Sequence, residues 1–276
     1  MSDKQRRFLI IGPSWIGDMV MAQSLFTTLQ QQHPDSIIDV IAPQWSLPIL
    51  KRMPEVNEGI SAGVAHGEFS FFKRRALGKS LRARQYTDAI VIPRSWKSAI
   101  IPFYAGIPVR TGYKGEMRYG LLNDIRVLDK SVLKQTVQRY VAHAYDNAPH
   151  TPPQISYPVL QVDEKNQQYI LGKLGLDKEK PVVCMMPGAE YGPAKQWPIE
   201  YYAKLARSLV AEGYQVWILG SDKDKSAGSA ILEANEFAVF DLCGETQLVD
   251  TVDLLACAKS VVTNDSGLMH VAAAVG

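Results

Sequence analysis

The stretch that decides the fold lies near the N-terminus and reads Phe8-Leu-Ile-Ile-Gly12-Pro-Ser-Trp-Ile-Gly17-Asp18-Met19. A short apolar run ends at a glycine, and a helical pattern begins a few residues later. Short runs rich in β-branched residues are typical of buried strands. The stretch therefore predicts a strand, a glycine-bearing turn and a helix, which together open a Rossmann-like domain.

The same alternation continues along the chain. We predict strands at residues 8–11, 37–41, 89–92, 182–185, 216–219 and 260–262, and helices at residues 19–31, 95–104, 200–212 and 246–257. Such alternation indicates parallel sheets with crossover helices. Residues 147–158, NAPHTPPQISYP, contain four prolines and lack periodicity, so they are the best candidate for a linker between domains. We expect an α/β protein of two Rossmann-like domains facing a cleft, residues 1–155 and residues 156–276.

Composition excludes several classes of protein. The 276 residues are 46% hydrophobic and 21% charged, which are ordinary globular values. The formal charge of +2 is too small for a general nucleic-acid binder. Three cysteines without a CxxC pair predict neither a disulfide framework nor a zinc site. No apolar run approaches the roughly 20 residues of a membrane span, and no signal peptide is recognisable, so we expect a cytoplasmic protein.

The first candidate site residue is Asp18, in the turn that opens the fold. Gly12 and Gly17 have the spacing of a phosphate-binding loop, but Asp18 stands where that loop has a lysine. A carboxylate repels phosphate, whereas an ionised carboxylate at a helix N-terminus suits a general base acting on a hydroxyl. The alternative is that Asp18 only caps its helix.

A second candidate site follows the predicted strand at residues 182–185 and reads PGAEYGPAKQWP, residues 187–198. A glycine-rich turn presents backbone N–H groups to a ligand. Lys195 in this turn is suited to meet a diphosphate and to neutralise a leaving group. The alternative is an ordinary solvated lysine.

A third candidate site, TNDSGLMH at residues 263–270, follows the last predicted strand. Asp265, Ser266 and Gly267 open the final helix, whose unpaired N–H groups favour an anion, and His270 lies about one turn further on. Asp265 is suited either to bind sugar hydroxyls or to cap the helix. Asp222, just past the strand at residues 216–219, is a weaker candidate for binding a ribose.

These three motifs, in this order and at these separations, closely resemble the ADP-heptose:lipopolysaccharide heptosyltransferases of glycosyltransferase family 9. The segments MPEVN at residues 53–57 and RTGYKGEMRYGLLN at residues 110–123 extend the likeness over almost the whole chain. The resemblance implies a GT-B fold. It also implies an inverting transfer of L-glycero-D-manno-heptose from ADP-heptose to the first heptose of the lipopolysaccharide inner core, without a metal or other cofactor.

The resemblance also implies roles for individual residues. Asp18 and Lys195 are the expected catalytic residues, since they match the family's base and the lysine at the donor phosphates. The other expected donor-binding residues are Gly17, Gly188, Ala189, Asp222, Asp265, Ser266, Gly267 and His270. No D-x-D pair stands near these positions in the sequence, in keeping with catalysis without a bound metal.

The implied acceptor is a lipopolysaccharide core at the inner-membrane surface, which carries phosphates and acidic sugars, so its groove is expected to be basic. The candidates are Arg94, Lys97, Arg110, Lys114 and Arg118, each of which has an ordinary surface role as its alternative. Trp96 and Tyr113 are suited either to stack on sugars or to pack in the core. The basic run at residues 73–84 is either a solvated helix face or a patch for a membrane surface.

Two alternatives to this function stay open. Another GT-B enzyme, such as heptosyltransferase I or a nucleotide-sugar epimerase, would share the fold, and donor and acceptor profiling separates them. The resemblance further implies strand and helix beyond Gly276, so we expect an incomplete C-terminal domain. A truncated, inactive nucleotide-binding remnant is therefore the second alternative.

Overall fold

The structure, a computed structural model, describes residues 5–63, 69–147, 149–189 and 193–276. The chain forms two compact units that divide between Val159 and Leu160. The sequence predicted this division four residues earlier, at residue 155. Each unit is an α/β structure built on a parallel sheet.

The first unit contains a six-stranded sheet in the order β3-β2-β1-β4-β5-β6. Its strands are β1 (Arg7–Ile11), β2 (Ile37–Ala42), β3 (Glu58–Ser61), β4 (Asp88–Val91), β5 (Val109–Tyr113) and β6 (Asp124–Arg126). Every neighbouring pair is parallel. This is the Rossmann order, in which the strand sequence reverses between β1 and β4. Folds of this type bind ligands at the carboxyl ends of the strands beside that reversal.

The helices of the first unit are α1 (Ile16–Gln32), α2 (Leu47–Leu50), α3 (Phe71–Ser80), α4 (Ile100–Tyr104) and α5 (Thr136–Val141). The turn from β1 to α1 is tight, because a Cβ atom at Gly12 would lie 2.6 Å from Met19 Cε. The predicted helix at residues 95–104 begins as a 3-10 turn and becomes α4 at Ile100. The Ser98 hydroxyl donates back to the Ser95 carbonyl at 2.6 Å, which favours the tighter turn.

The segment MPEVN has a structural role within the first unit. Glu55 accepts hydrogen bonds from Gln23 and Thr27 of α1 at 3.0 and 2.6 Å. Asn57 donates to Asp39, which is completely buried in β2, at 2.7 Å. Part of the family likeness therefore reflects the packing of α1 and β2 rather than a ligand.

The second unit contains a four-stranded sheet in the order β10-β7-β8-β9. Its strands are β7 (Val182–Met186), β8 (Gln215–Ile218), β9 (Phe240–Asp241) and β10 (Ala258–Thr263), and its helices are α6 (Glu164–Leu174), α7 (Ile199–Ala211), α8 (Lys225–Ala234), α9 (Leu248–Leu255) and α10 (Gly267–Val275). All strand pairs are parallel. The order matches the first four strands of a Rossmann sheet, with the reversal between β7 and β10.

Every strand predicted from the sequence is present, within about two residues at each end. Between Ala144 and Glu164 the described residues form neither helix nor strand, as the proline-rich pattern predicted. Across the described ranges, no helix combines the length and the apolar character that crossing a membrane requires.

Candidate functional site

Asp18 lies in the first turn of α1, just past the carboxyl end of β1. Trp15 occupies the N-cap position, so Asp18 is not the capping residue that the alternative interpretation assumed. A carboxylate in the first turn is favoured by the helix dipole. Asp18 is half-buried and keeps part of its surface open to solvent.

A tyrosine that the sequence did not single out contacts this carboxylate. The Tyr140 hydroxyl, on α5, donates to Asp18 Oδ1 at 2.9 Å. Burial, and secondly the negative charge of Asp18, raise the pKa of Tyr140 well above its usual range, so the phenol remains a donor. Among the described residues no further hydrogen bond to the Asp18 carboxylate is found. The two residues are 122 positions apart, and no local pattern joins them.

Three of the predicted acceptor residues lie toward the surface of the first unit. Arg94 and Lys114 are exposed, and Lys97 is half-buried. The Arg94 guanidinium donates to the Lys114 carbonyl at 2.9 and 3.2 Å, so these two residues are neighbours. The structure therefore places the Arg94 side chain against the main chain of Lys114, just past the carboxyl end of β5.

The other two predicted acceptor residues are committed to the protein itself. Arg118 is only 2% exposed, and its guanidinium donates to the carbonyls of Pro93 and Tyr113. Burial lowers the pKa of Arg118. Arg110 donates to the Leu121 carbonyl at 2.6 Å. Arg118 thus differs from the exposed groove residue that the sequence predicted, because its donors satisfy main-chain carbonyls inside the fold.

The two aromatic candidates also pack within the first unit. Tyr113 is buried, and its hydroxyl donates to the Arg139 carbonyl at 3.0 Å. Trp96 stacks on Phe69 with 6.0 Å between the ring centroids. Tyr113 therefore packs in the core, which was the alternative to sugar stacking.

In the second unit, Lys195 and Asp265 meet. Lys195 Nζ lies 2.5 Å from Asp265 Oδ2, although the residues are 70 positions apart. The hydrogen bond and positive charge of Lys195 hold the pKa of Asp265 below its usual range. The structure thus joins the second and third sequence motifs where β7 and β10 end, at the reversal of the strand order.

Asn264 is a residue of this region that sequence reasoning missed. Its Oδ1 accepts from the Trp197 backbone N–H at 3.0 Å and from the Tyr202 hydroxyl at 3.1 Å, and its Nδ2 donates to the Pro187 carbonyl at 2.6 Å. The side chain is buried, and both its oxygen and its nitrogen make hydrogen bonds. Asn264 therefore fixes the turn after β10 to the turn after β7 and to the start of α7.

The remaining donor candidates surround the same edge of the second sheet. Ser266 takes the N-cap position of α10 with an extended backbone, and Gly267 is the first helical residue. His270 lies on α10 and its charge adds a minor lowering of the Asp265 pKa. Asp222 is exposed, and its Oδ1 lies 2.9 Å from Lys225 Nζ.

Gly188 and Ala189 lie in the turn after β7, where they are half-buried. A Cβ atom at Gly188 would approach Asp224 Oδ1 to 2.5 Å, so this turn packs directly on Asp224. The other oxygen of Asp224 accepts from the Ser221 N–H and hydroxyl at 2.8 Å each. Asp224, which the sequence did not single out, therefore connects the turns after β7 and β8.

The first Rossmann-like unit has an acid suited to proton transfer, Asp18. The second has Lys195 beside the N-terminus of α10, an arrangement suited to binding an anion. Gly17 belongs to the first unit, where it is buried in the opening turn of α1. Within the described ranges no three His, Cys, Asp or Glu side chains gather to hold a metal ion, and metal independence stays a prediction. Two such units define the GT-B class of glycosyltransferase.

Comparisons with known proteins give the family. The sequence model of glycosyltransferase family 9 (heptosyltransferase) matches residues 74–276. Lipopolysaccharide heptosyltransferase 2 of Escherichia coli K12 is 52% identical over 278 residues, which cover 98% of this chain and 80% of that protein. The relative of the same name in Salmonella typhimurium LT2 has the same identity and coverage. The chain belongs to glycosyltransferase family 9.

A solved structure agrees with this family and with the GT-B fold. The structure of E. coli ADP-heptose lps heptosyltransferase II has a TM-score of 0.87 and 50% sequence identity. The match covers 97% of this chain and 82% of that one.

Proposed function

We propose that this glycosyltransferase moves L-glycero-D-manno-heptose from ADP-heptose to the first heptose of the lipopolysaccharide inner core. The observation that carries the proposal is the 52% identity over 98% of the chain to lipopolysaccharide heptosyltransferase 2 of E. coli. All residues that the family resemblance marks as functional are present. The proposal includes inversion at the transferred carbon and independence from metals and cofactors.

The proposed role of Asp18 is that of general base. In an inverting displacement the acceptor hydroxyl oxygen attacks the anomeric carbon from the face opposite the diphosphate. Asp18 takes the hydroxyl proton as the new glycosidic bond forms, and the bond from the anomeric carbon to the diphosphate breaks with its electron pair leaving on ADP. Its half-exposed position in the first turn of α1 supports this role, since a base needs access to the acceptor.

The proposed role of Lys195 is to stabilise the diphosphate as negative charge develops on it. Asp265 holds the ammonium in the structure described here, so donor binding would exchange this carboxylate for phosphate oxygens. The N–H groups at Ser266 and Gly267 favour the same anion. The half-buried His270, the exposed Asp222 and the turn of Gly188 and Ala189 complete the part of the proposed donor site that lies in the second unit. Gly17, which the family resemblance also marks as donor-binding, lies in the first unit.

We also propose that the acceptor is met at the cytoplasmic face of the inner membrane. Residues 69–84 contain four Arg and two Lys and no Asp or Glu. On α3 the Phe72 side chain is 79% exposed, and Lys79 is exposed on the same helix. Exposed aromatic and basic residues on one helix favour a surface of anionic lipid.

The proposal is tested by transfer from ADP-heptose to a mono-heptosylated Kdo–lipid A acceptor, measured as ADP released and heptose added. Asp18→Asn is expected to lower kcat by roughly 100- to 10,000-fold while ADP-heptose binding is retained. Asp35→Asn is the matched control, because Asp35 is an exposed acid elsewhere in the same unit. Equal loss of binding and transfer in Asp18→Asn would show a structural role instead.

The same assay separates the alternatives. Turnover of the nucleotide sugar without any acceptor indicates an epimerase, and preference for an acceptor without heptose indicates heptosyltransferase I. ADP binding without transfer to either acceptor indicates an inactive remnant. Activity retained in EDTA supports metal independence, and the anomeric configuration of the product by NMR tests inversion.

A further inference from the structure

The contact between Tyr140 and Asp18 has a close counterpart in the same unit. The Tyr86 hydroxyl donates to Asp39 Oδ2 at 2.6 Å, so each pair is a phenol bound to a carboxylate. Asp39 is completely buried, and its carboxylate also accepts hydrogen bonds from the Asn57 amide at 2.7 Å and from the Arg84 guanidinium at 3.2 Å. That carboxylate is surrounded by partners, as a structural group should be.

The Asp18 carboxylate differs from that of Asp39 because, among the residues that the structure describes, only one of its two oxygens is hydrogen-bonded by the protein. Tyr140 binds only Oδ1, and the residue is half-buried rather than enclosed. A carboxylate with one oxygen held and the other open to solvent can accept a proton from an incoming hydroxyl. Rotation of the carboxylate is restricted at the same time, because turning it would break the bond to the phenol.

The helix that carries Tyr140 is fixed by contacts of its own. The helix α5 has six residues, too few to be stable alone. Gln135 and Gln138 form a capping box at its start. The Arg139 guanidinium donates to the Leu133 and Lys134 carbonyls at 3.0 and 2.8 Å, and the Tyr113 hydroxyl donates to the Arg139 carbonyl at 3.0 Å. The Tyr140 hydroxyl is therefore held at a defined place before any ligand binds.

We propose that Tyr140 is a positioning residue of the transfer reaction. Its hydroxyl holds Asp18 Oδ1, so that Oδ2 is presented to the acceptor hydroxyl. The role acts through Asp18, and the inference therefore rests on the proposed function. A general base must stand within hydrogen-bonding distance of the proton it removes, and small errors in placement cost large factors in rate.

The test is Tyr140→Phe in the full chain, with Tyr86→Phe as the matched control. Tyr140→Phe is expected to lower kcat roughly 10- to 100-fold, because the freed carboxylate samples unproductive rotations. The KM for ADP-heptose and the Kd for ADP, which report on the second unit, are expected to stay within about twofold of wild type. Tyr86→Phe loses the same kind of bond and is expected to lower the melting temperature without lowering kcat.

A double variant separates positioning from general stability. If Tyr140 acts through Asp18, adding Tyr140→Phe to Asp18→Asn changes the residual single-turnover rate by less than about twofold. Two results would overturn the assignment while leaving the proposed function intact. One is a Tyr140→Phe variant with the same kcat as wild type. The other is a double variant in which Tyr140→Phe lowers the residual rate as much as it lowers the rate of the wild type. A folded wild-type chain that transfers no heptose would instead contradict the proposed function and this inference with it.

Discussion

The first unit is expected to lose stability on acidification because of one buried histidine, His143, which follows α5. The residue is 4% exposed, and its Nδ1 lies 3.0 Å from the Arg139 carbonyl oxygen and 3.2 Å from that of Tyr140. Those acceptors assign the ring proton to Nδ1. Nε2 is buried without a hydrogen-bond partner among the described residues. A second proton on Nε2 would therefore have no acceptor.

The size of the effect follows from the proton affinity of the ring. Burial lowers the pKa of His143 from 6.5 to about 4; Arg126 adds to the lowering, and the Nδ1 hydrogen bonds oppose it. The unfolded chain takes up this proton near pH 6.5 and the folded chain near pH 4, so the unfolded state binds more protons between these values. Stability is thus complete above pH 6.5 and falls toward pH 4. At about 1.4 kcal/mol per pKa unit, the loss at pH 4 is about 3 kcal/mol.

Urea unfolding at pH 7 and pH 4 measures this loss. Other acids titrate in the same range, so the comparison is between wild type and His143→Phe, which keeps an aromatic ring but cannot take up a proton. His150→Phe, at an exposed histidine, is the control and should keep the wild-type dependence on pH. The same pH dependence in wild type and His143→Phe, or an NMR titration of His143 near pH 6.5, would refute the reasoning.

Three further changes test the donor region of the second unit. Lys195→Ala is expected to weaken ADP binding by roughly 10-fold through loss of a charge-assisted hydrogen bond, and unchanged affinity by calorimetry would remove it from the site. Asn264→Ala leaves buried polar groups without partners and should lower the free energy of unfolding by roughly 2–4 kcal/mol in urea. Gly188→Ala places a Cβ atom 2.5 Å from Asp224 Oδ1 and should weaken ADP binding, whereas Gly172→Ala, which meets nothing within 4 Å, should not. Equal ADP affinity in the two glycine variants would contradict the packing argument.

The sequence by itself determined the fold class and the motifs at the strand ends. Strands such as β1 and β7 are buried on both faces, so their apolar runs are visible without any knowledge of their neighbours. Four of the strands that the structure describes were not predicted from the sequence: β3, β5, β6 and β9. The strand β9 has two residues and β6 has three, which is too few for periodicity to be measured. The strands β3 (EGIS) and β5 (VRTGY) are longer but lack a continuous apolar run.

The tertiary structure decided which of those residues meet. Lys195 with Asp265, and Tyr140 with Asp18, are separated by 70 and 122 positions, and no local pattern encodes either contact. The basic residue type of Arg118 was visible, but its burial was not, because charge says nothing about which main-chain carbonyls a guanidinium will satisfy. Local periodicity depends on each residue's immediate neighbours in the chain, whereas these contacts depend on how helices and strands pack once the sheets have formed.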